Sequence, residues 1–413
     1  MTDSAVPRGV RAPSVLILAA LTGLAALSID MSLPAMPQLQ RTFGASVGAV
    51  QLTLSLFLIG FAIGQLACGV VADRTGRKPV LLAGLALFAV AGLACAASPS
   101  LPVLLALRLV QGLGASVGPI LARAIVRDCY TGPQASGVLS QITQVMIAAP
   151  LIAPTIGGFL LVAFGWPAIF VTLGVAGVLL WMIVWMRLPE TLPGAVRAAE
   201  PPALLRSFAT VATHPESLRH GLTVCFSYGG MFGYVSGSPF VLIEAFGVPR
   251  SVFGLLFALP ALALMVGATL NRRWVKRMEP ERLLRRGVRL VAGAGLVLGA
   301  LAWLGIGGVA GVVVPMMGYM LGLGLVQPNA TAAALAPHGR LAGVTSSLIG
   351  SVQTAAGAVF GALVGAFYDH TSRSLATTVA VAGVLTLLVH HAARPRREVA
   401  EEEAVSPPLA AEV

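Results

Sequence analysis

Twelve long apolar segments run through this chain of 413 residues, and they constrain its fold more than any other feature. Each is about 18 to 28 residues long, which is the length of α-helix that crosses the hydrocarbon core of a bilayer. The mean hydropathy is +0.87. A water-soluble domain of this composition could not keep its apolar residues off its surface. We therefore predict an all-α membrane protein. The predicted spans are residues 13–39, 47–71, 79–97, 102–124, 136–164, 167–188, 218–243, 252–270, 288–305, 310–333, 341–367 and 375–392.

The 27 Lys and Arg residues are distributed unevenly between the two sides of these spans. Only Arg41, Arg250 and Arg373 are assigned to outer loops and only Arg108 to the middle of a span, so 23 remain for cytoplasmic loops, tails and span ends. This excess of positive charge on one side predicts that both termini are cytoplasmic. Membrane topology therefore explains the formal net charge of +11, and nucleic acid is not expected as a partner.

The four cysteines, Cys68, Cys95, Cys129 and Cys225, show no CxxC spacing, and three of them lie in apolar runs. Such a pattern is typical of small buried residues and does not indicate disulfides or a metal site. The Gly-x-Gly pairs lie inside apolar spans, which is the wrong context for a dinucleotide-binding loop. We therefore expect neither a metal nor a cofactor.

The longest polar connection divides the chain into two halves. It covers residues 189–217, is rich in proline, and is predicted to be a cytoplasmic linker. The predicted units are an N-terminal six-helix bundle over residues 1–188, a C-terminal six-helix bundle over residues 218–392, and a solvated cytoplasmic tail over residues 393–413.

A degenerate internal repeat supports this division. The pattern Gly69…Asp73-Arg74…Lys78 follows the second span of the first half, and Gly267…Asn271-Arg272-Arg273…Lys276 follows the second span of the second half. Repeated halves around a central site are a common plan of transporters. The fold class we predict is therefore two pseudo-symmetric six-helix bundles.

The segment Gly69–Leu82 is a short block of charge and glycine between two apolar runs, as expected of a tight cytoplasmic turn. Gly69 is expected to let its helix approach a neighbour, since glycine permits close packing in membranes. Asp73 is expected to cap the start of the next helix. Gly76 would permit the chain reversal, and Arg77 would remain on the positive side of the membrane.

Ionisable residues within the spans are few, so each one indicates a function. Asp30 lies in the outer half of the first span, where a charge is costly, and it is a candidate proton carrier. Its alternative role is to cap a broken helix end before Pro34 and Pro37. Arg108 lies at a similar depth in the fourth span, within reach of pairing with Asp30. Its alternative role is a structural link between helices.

Five segments of the chain together resemble one family. They are residues 30–37, 69–82, 108–115, 149–158 and 236–242. These segments are similar to those of drug:proton antiporters of the major facilitator superfamily, specifically the bicyclomycin/chloramphenicol-resistance branch. The resemblance covers nearly the whole length of the chain and implies the same fold of twelve transmembrane helices.

The antiporter motif of this family, Gly-x-x-x-Gly-Pro-x-x-Gly-Gly, lies in the fifth span. In this chain it reads Ala149-x-x-x-Ala153-Pro154-x-x-Gly157-Gly158. Alanine replaces both leading glycines, so the close helix packing that the motif provides is kept. The direction of transport follows less directly from this variant than from a complete motif.

The resemblance also implies roles for individual residues. Asp30 would be the protonation site, and Arg108 would couple to it. A cytoplasmic latch that holds one conformation would consist of Gly69, Asp73, Arg74, Gly76 and Arg77. The polar and aromatic residues expected to face a substrate cavity between the halves are Gln51, Gln111, Gln141, Tyr228, Tyr234, Ser236, Tyr319, Gln327, Asn329 and Gln353.

The predicted function is proton-coupled efflux of small lipophilic or amphipathic drugs across the inner membrane by alternating access. Its partners would be a small-molecule substrate, protons and the lipid bilayer, and the protein is expected to act as a monomer. The alternative is proton-coupled uptake or exchange of a small metabolite on the same fold, which would favour several charged groups fixed in the second half. The predicted spans of that half contain almost none, apart from Glu244 just beyond the outer end of the seventh span. Enzymes and channels are disfavoured, because no mid-span Ser–His pair, acid pair, HExxH motif or ring of polar residues is present.

Overall fold

The computed structural model describes residues 13–192 and 204–392, and every regular element within these ranges is a helix. Eleven helical segments of the described chain are long and apolar enough to cross a membrane. The remaining predicted span corresponds to Pro215–Pro239, a helix of 25 residues that is more polar than the others. The prediction of an all-helical membrane fold is confirmed.

The helices of the first half are α1 (Val15–Asp30), α2 (Met36–Phe43), α3 (Val47–Thr75), α4 (Arg77–Ala96), α5 (Leu101–Ala115), α6 (Val117–Cys129), α7 (Gly132–Phe164) and α8 (Trp166–Arg187). Those that follow are α9 (Leu204–Thr213), α10 (Pro215–Pro239), α11 (Arg250–Trp274), α12 (Pro280–Leu304), α13 (Gly308–Leu335), α14 (Ala342–Ala366) and α15 (Arg373–Ala392). The pairs α1–α2 and α5–α6 each form a single span.

Most predicted span limits agree with the helices to within a few residues, and the exception has a clear cause. The ninth predicted span began at residue 288, but α12 begins at Pro280. Its first turns carry several charged residues, including Glu281 and Arg285, which extend a helix beyond the apolar layer without contributing to the hydropathy signal. The short hairpin after α12 is made by Gly305 and Gly307, both with positive φ, which glycine adopts without strain.

The predicted linker over residues 189–217 contains more regular structure than its composition suggested. Helix α9 lies inside it, and α10 begins at Pro215, within its last residues. Residues 193–203 of the linker and the predicted tail over residues 393–413 lie outside the described residues.

The spans alternate in direction, so the connections between them lie on two sides of the molecule. We call the side on which α1 begins the terminal side and the other the far side. The two halves meet where α3 packs against α14 and α7 packs against α11. On the far side, the Gln51 side-chain amide donates to the Ser236 carbonyl oxygen (3.1 Å), and Arg41 pairs with Glu244 (3.6 Å). These contacts close the molecule on the far side.

Candidate functional site

A cavity of about 510 Å³ lies between the two halves. Its walls come from α1, α3, α6 and α7 of the first half and from α10, α11, α13 and α14 of the second. Most of the lining is apolar, and large side chains on both halves contribute to it: Ile29, Phe61, Met146, Phe232, Phe257 and Leu264. A cavity of this size and character accommodates a drug-sized molecule with a few directed polar contacts.

Asp30 is a wall residue of this cavity. It is the last residue of α1, where the first span breaks into a 3-10 turn over Leu33–Ala35 before α2 begins. The residue is 5% exposed, and its carboxyl group has no hydrogen bond or ion pair with any residue that the structure describes. A buried acid without a protein partner, placed at a substrate-sized cavity, is suited to bind a proton or a cationic group.

Arg108 lies behind this part of the wall and is 1% exposed. Its guanidinium donates to the carbonyl oxygens of Ser28 (3.3 Å) and Thr53 (3.3 Å) and to Oε1 of Gln111 (2.8 Å). It also stacks over the ring of Phe57, 4.3 Å from the centroid. The suggested pairing with Asp30 is not formed; Nε, Nη1 and Nη2 each donate to one of these acceptors instead. Arg108, on α5, therefore links its helix to α3 and to α1. Its contact on α1, Ser28, lies two residues before Asp30.

Four of the predicted cavity residues line the cavity: Tyr228, Tyr234, Gln327 and Gln353. All four belong to the second half, on α10, α13 and α14. The Tyr234 hydroxyl group and the Gln327 amide nitrogen have no hydrogen-bond partner among the residues that the structure describes. A buried polar atom without a partner is costly, and a substrate or water in the cavity would offset that cost.

Gln51, Ser236 and Gln111 were predicted to face the cavity but do not line it. The Gln51 side-chain amide donates to the Ser236 carbonyl oxygen where the halves meet, and the Ser236 hydroxyl group donates to the Gly361 carbonyl oxygen (3.4 Å). Gln111 is held by Arg108. Their polar groups link helices, which is the commonest use of polar side chains in membrane spans.

Gln141, Tyr319 and Asn329 were also predicted to face the cavity, and none of the three lines it in this structure. Gln141 is exposed and lies outside the cavity lining. The Tyr319 hydroxyl group donates to the Ser227 carbonyl oxygen (3.0 Å). The Asn329 side chain donates to Oδ1 of Asn271 (2.6 Å). The last two side chains point to a neighbouring helix, and a rotation of the helix that the sequence does not encode locally decides this.

Several polar wall residues were not predicted. They are Thr22, Gln65, Arg123, Thr143 and Thr354. Arg123 had been counted among the span-end cations, yet it lies on the same face of α6 as Pro119, another wall residue four positions earlier. This spacing was the only signal in the sequence that could have identified it.

The charged turn between α3 and α4 forms a compact cluster on the terminal side. Arg77 is largely buried; its guanidinium pairs with Asp73 (2.5 Å) and with Asp128 at the end of α6 (3.1 Å). The backbone amides of Arg77 and Lys78 donate to the Glu190 carboxylate (2.9 and 3.2 Å). Glu190, after α8, therefore caps α4, and the prediction that Asp73 does so is wrong.

Three other residues of this turn, Gly76, Gly69 and Arg74, had predicted roles. Gly76 has φ 108°, so the chain reversal requires glycine as predicted. A Cβ added at Gly69 would meet nothing within 4 Å, so the expectation that Gly69 permits close helix packing is wrong. Arg74 is exposed and forms no ion pair with a described residue.

The antiporter-like segment of α7 contacts both the break in the first span and the second half. A Cβ at Gly157 would overlap the Met31 carbonyl oxygen, next to Asp30. Gly158 lies close to the carbonyl oxygen of Arg250 on α11. Ala153 and Pro154, one turn earlier in the same helix, are buried. The segment therefore packs closely at the boundary between the halves.

No group of three or more His, Cys, Asp or Glu residues suited to hold a metal ion occurs in residues 13–192 and 204–392. Two helical halves, a central cavity and a buried acid in the cavity wall are the geometry of a membrane transporter.

Comparison with known proteins agrees with this class. Residues 18–362 match the family model of the Major Facilitator Superfamily, and the chain belongs to this superfamily of transporters. It is 37% identical over 354 residues to the uncharacterized MFS-type transporter YdgK of Bacillus subtilis, covering 84% of this chain and 87% of that protein. It is 33% identical over 383 residues to the bicyclomycin resistance protein homolog of Haemophilus influenzae, covering 91% and 95%.

A solved structure gives independent support for the fold. The xylose transporter XylE from E. coli, in a partially occluded inward open conformation, matches with a TM-score of 0.67 at 16% identity. The match covers 91% of this chain and 96% of that one. The sequence resemblance to the drug-resistance branch is confirmed by the named relative above, and the fold by this structure.

Proposed function

We propose that this protein exports small lipophilic or amphipathic drugs in exchange for protons by alternating access. The observation that carries the proposal is the buried Asp30, which has no partner in the described part of the chain, in the wall of a largely apolar cavity between the halves. Resistance to bicyclomycin, which the name of the Haemophilus influenzae relative implies, supports export as the direction of transport.

Proton and drug would compete for the same site. Asp30 takes up a proton when the cavity opens to the far side and releases it on the terminal side as a substrate enters. Movement of one charge down a membrane potential of 100 mV supplies about 2.3 kcal/mol, which corresponds to a concentration gradient of roughly fiftyfold. Arg108 would position the break after α1 through its bond to Ser28 and so couple Asp30 to α3 and α5.

The two bundles, residues 1–188 and 218–392, would move as units about the cavity. The cluster of Arg77, Asp73 and Asp128 would act as the latch by holding α3, α4 and α6 of the first half together. In this reading the segment Ala153–Gly158 provides the sliding contact between α7 and the second half. Close packing of small residues permits such movement without opening a gap.

The terminal side would be the cytoplasm, given the excess of Lys and Arg residues there. The protein would be a multi-pass protein of the inner membrane with both termini cytoplasmic, and it would function as a monomer. Proton-coupled uptake or exchange of a small metabolite on the same fold remains the competing function. Glu244, the acid that would have favoured a polar substrate, is engaged with Arg41 on the far side.

The test is drug-driven proton movement in inverted membrane vesicles that hold an acid interior. Addition of a drug should release protons from vesicles with the parent protein, and Asp30→Asn should abolish this release. Asp369→Asn is the matched control, because Asp369 is exposed on a far-side loop and should retain proton release. Release that persists in Asp30→Asn would exclude Asp30 as the proton site. Absence of release for every drug, with uptake of a metabolite instead, would favour the competing direction.

A further inference from the structure

Arg123 is a cation in the cavity wall that the proposed export mechanism does not use. It lies on α6, its side chain is exposed, and it lines the same cavity as Asp30. It forms no ion pair and no side-chain hydrogen bond with a described residue. Arginine presents a planar fork of donors that matches a carboxylate, sulfonate or phosphate. A free guanidinium facing a largely apolar cavity therefore favours an anionic group on the substrate.

Asp30 and Arg123 are the only residues with a formal charge among the described wall residues. They lie toward opposite ends of the cavity. A Cβ at Gly118 on α6 would overlap the Leu21 carbonyl oxygen on α1, so these two residues are at the same level. Asp30 is nine residues from Leu21 toward the far side, and Arg123 is five residues from Gly118 toward the terminal side. At about 1.5 Å per residue, the two Cα atoms are separated by about 20 Å along the helices.

We propose that the cavity selects zwitterionic amphipaths, with their cationic end toward Asp30 and their anionic end toward Arg123. This inference rests on the proposed function and adds the substrate class to it. The apolar walls between the two charges, including Phe61 and Phe257, would hold the hydrophobic body of the substrate. Both residues line the same cavity, so a bound molecule of drug size would lie between the two charged groups.

Separation of the charges explains why they do not neutralise each other. An ion pair across the cavity would occupy both groups and leave no free charge in the wall for a ligand. Two charges held apart instead define a direction, because a zwitterion bound the wrong way would place like charges together at both ends. A purely cationic substrate would meet Asp30 favourably but leave its other end beside an uncompensated guanidinium.

The test compares norfloxacin, a zwitterion with its ammonium and carboxylate at opposite ends of a rigid aromatic core, with norfloxacin methyl ester, which is a cation. Accumulation of each compound in inverted vesicles gives a KM for the parent, Arg123→Gln and Arg123→Lys. A charge-assisted hydrogen bond of about 1.5 kcal/mol corresponds to roughly a tenfold change. We expect Arg123→Gln to raise the KM of norfloxacin about tenfold more than that of the ester, and Arg123→Lys to restore part of the difference.

Arg127→Gln is the matched control. Arg127 is exposed on the same helix one turn later and lies outside the cavity lining, so its loss removes the same charge without changing the ratio of the two KM values. Equal effects of Arg123→Gln on both compounds would overturn the inference and show a structural role. Calorimetric binding of both compounds to the purified protein separates the proposal of drug export from the proposal of zwitterion selection. If the parent protein binds norfloxacin more tightly than the ester but transports neither compound, drug export is refuted and zwitterion selection stands.

Discussion

Two glycines of α3 provide a sharp test of how the first half is packed. Gly60 lies against α5, and a Cβ added there would overlap the Leu109 carbonyl oxygen and lie 2.9 Å from the Leu109 carbonyl carbon. Carbon atoms in good contact are about 3.5–4.0 Å apart. Alanine at Gly60 would therefore push α3 and α5 apart by roughly 1 Å. Gly69 lies in the same helix but faces open space.

The two substitutions are expected to have opposite signs. Gly69→Ala should stabilise the protein by about 0.5–1 kcal/mol, because alanine restricts the unfolded chain and favours the helix. Gly60→Ala gains the same amount but incurs an overpacking cost of about 1–3 kcal/mol, and it disturbs a close contact of the kind that drives helix association in membranes. The net effect at Gly60 should be destabilising by about 1–2 kcal/mol.

The measurement is thermal unfolding of the purified protein in detergent at one scan rate, followed by the reaction of a thiol-sensitive dye. Cys68, Cys95 and Cys225 are buried, so they react only as the protein unfolds. Gly60→Ala should unfold several degrees below Gly69→Ala. A Gly60→Ala variant that unfolds at or above the temperature of Gly69→Ala would refute the packing argument and the close α3–α5 contact on which it depends.

Two further predictions concern the site and the movement of the halves. Arg108→Lys keeps the charge but loses the planar donor fork, so it should lower the free energy of unfolding by about 1–3 kcal/mol. If Arg108→Lys and the parent are equally stable in the same thermal assay, only the charge at this position matters. Gly48→Val should hold the far side apart, because a Cβ at Gly48 would lie 2.9 Å from the Gly365 carbonyl oxygen. Spin labels on the exposed Thr42 and Asp369, in a cysteine-free background, should then report a longer distance than in the parent, and an unchanged distance would argue against closure at this contact.

The membrane spans were predictable from the sequence because their signal is local. An apolar segment long enough to cross a bilayer has few alternative structures, since every backbone polar group must be satisfied within the helix. Asp30 was identifiable for the same reason, as a charge inside such a segment. The need for glycine at position 76 was also local, because a tight reversal after a charged helix end requires a positive φ.

The cavity wall was only partly predictable. Tyr319 and Met320 are adjacent in α13, yet Met320 lines the cavity and Tyr319 bonds to the carbonyl oxygen of Ser227. Both side chains are of a type expected in a cavity wall, and the rotation of α13 against α10 decides which of the two faces the cavity. Arg123 was assigned to a span end because its position in the sequence is near one, although its side chain lines the cavity.

The helices, their order and the buried acid of the first span could be predicted without the structure, because hydrophobic length and isolated charge act within a single segment. Tertiary structure decided which groups are partners. It gave Arg108 backbone and amide acceptors instead of Asp30, and it gave Glu190 the capping role expected of Asp73. These partners lie far apart in the chain, and their pairing depends on the level and rotation of packed helices, which no local pattern specifies.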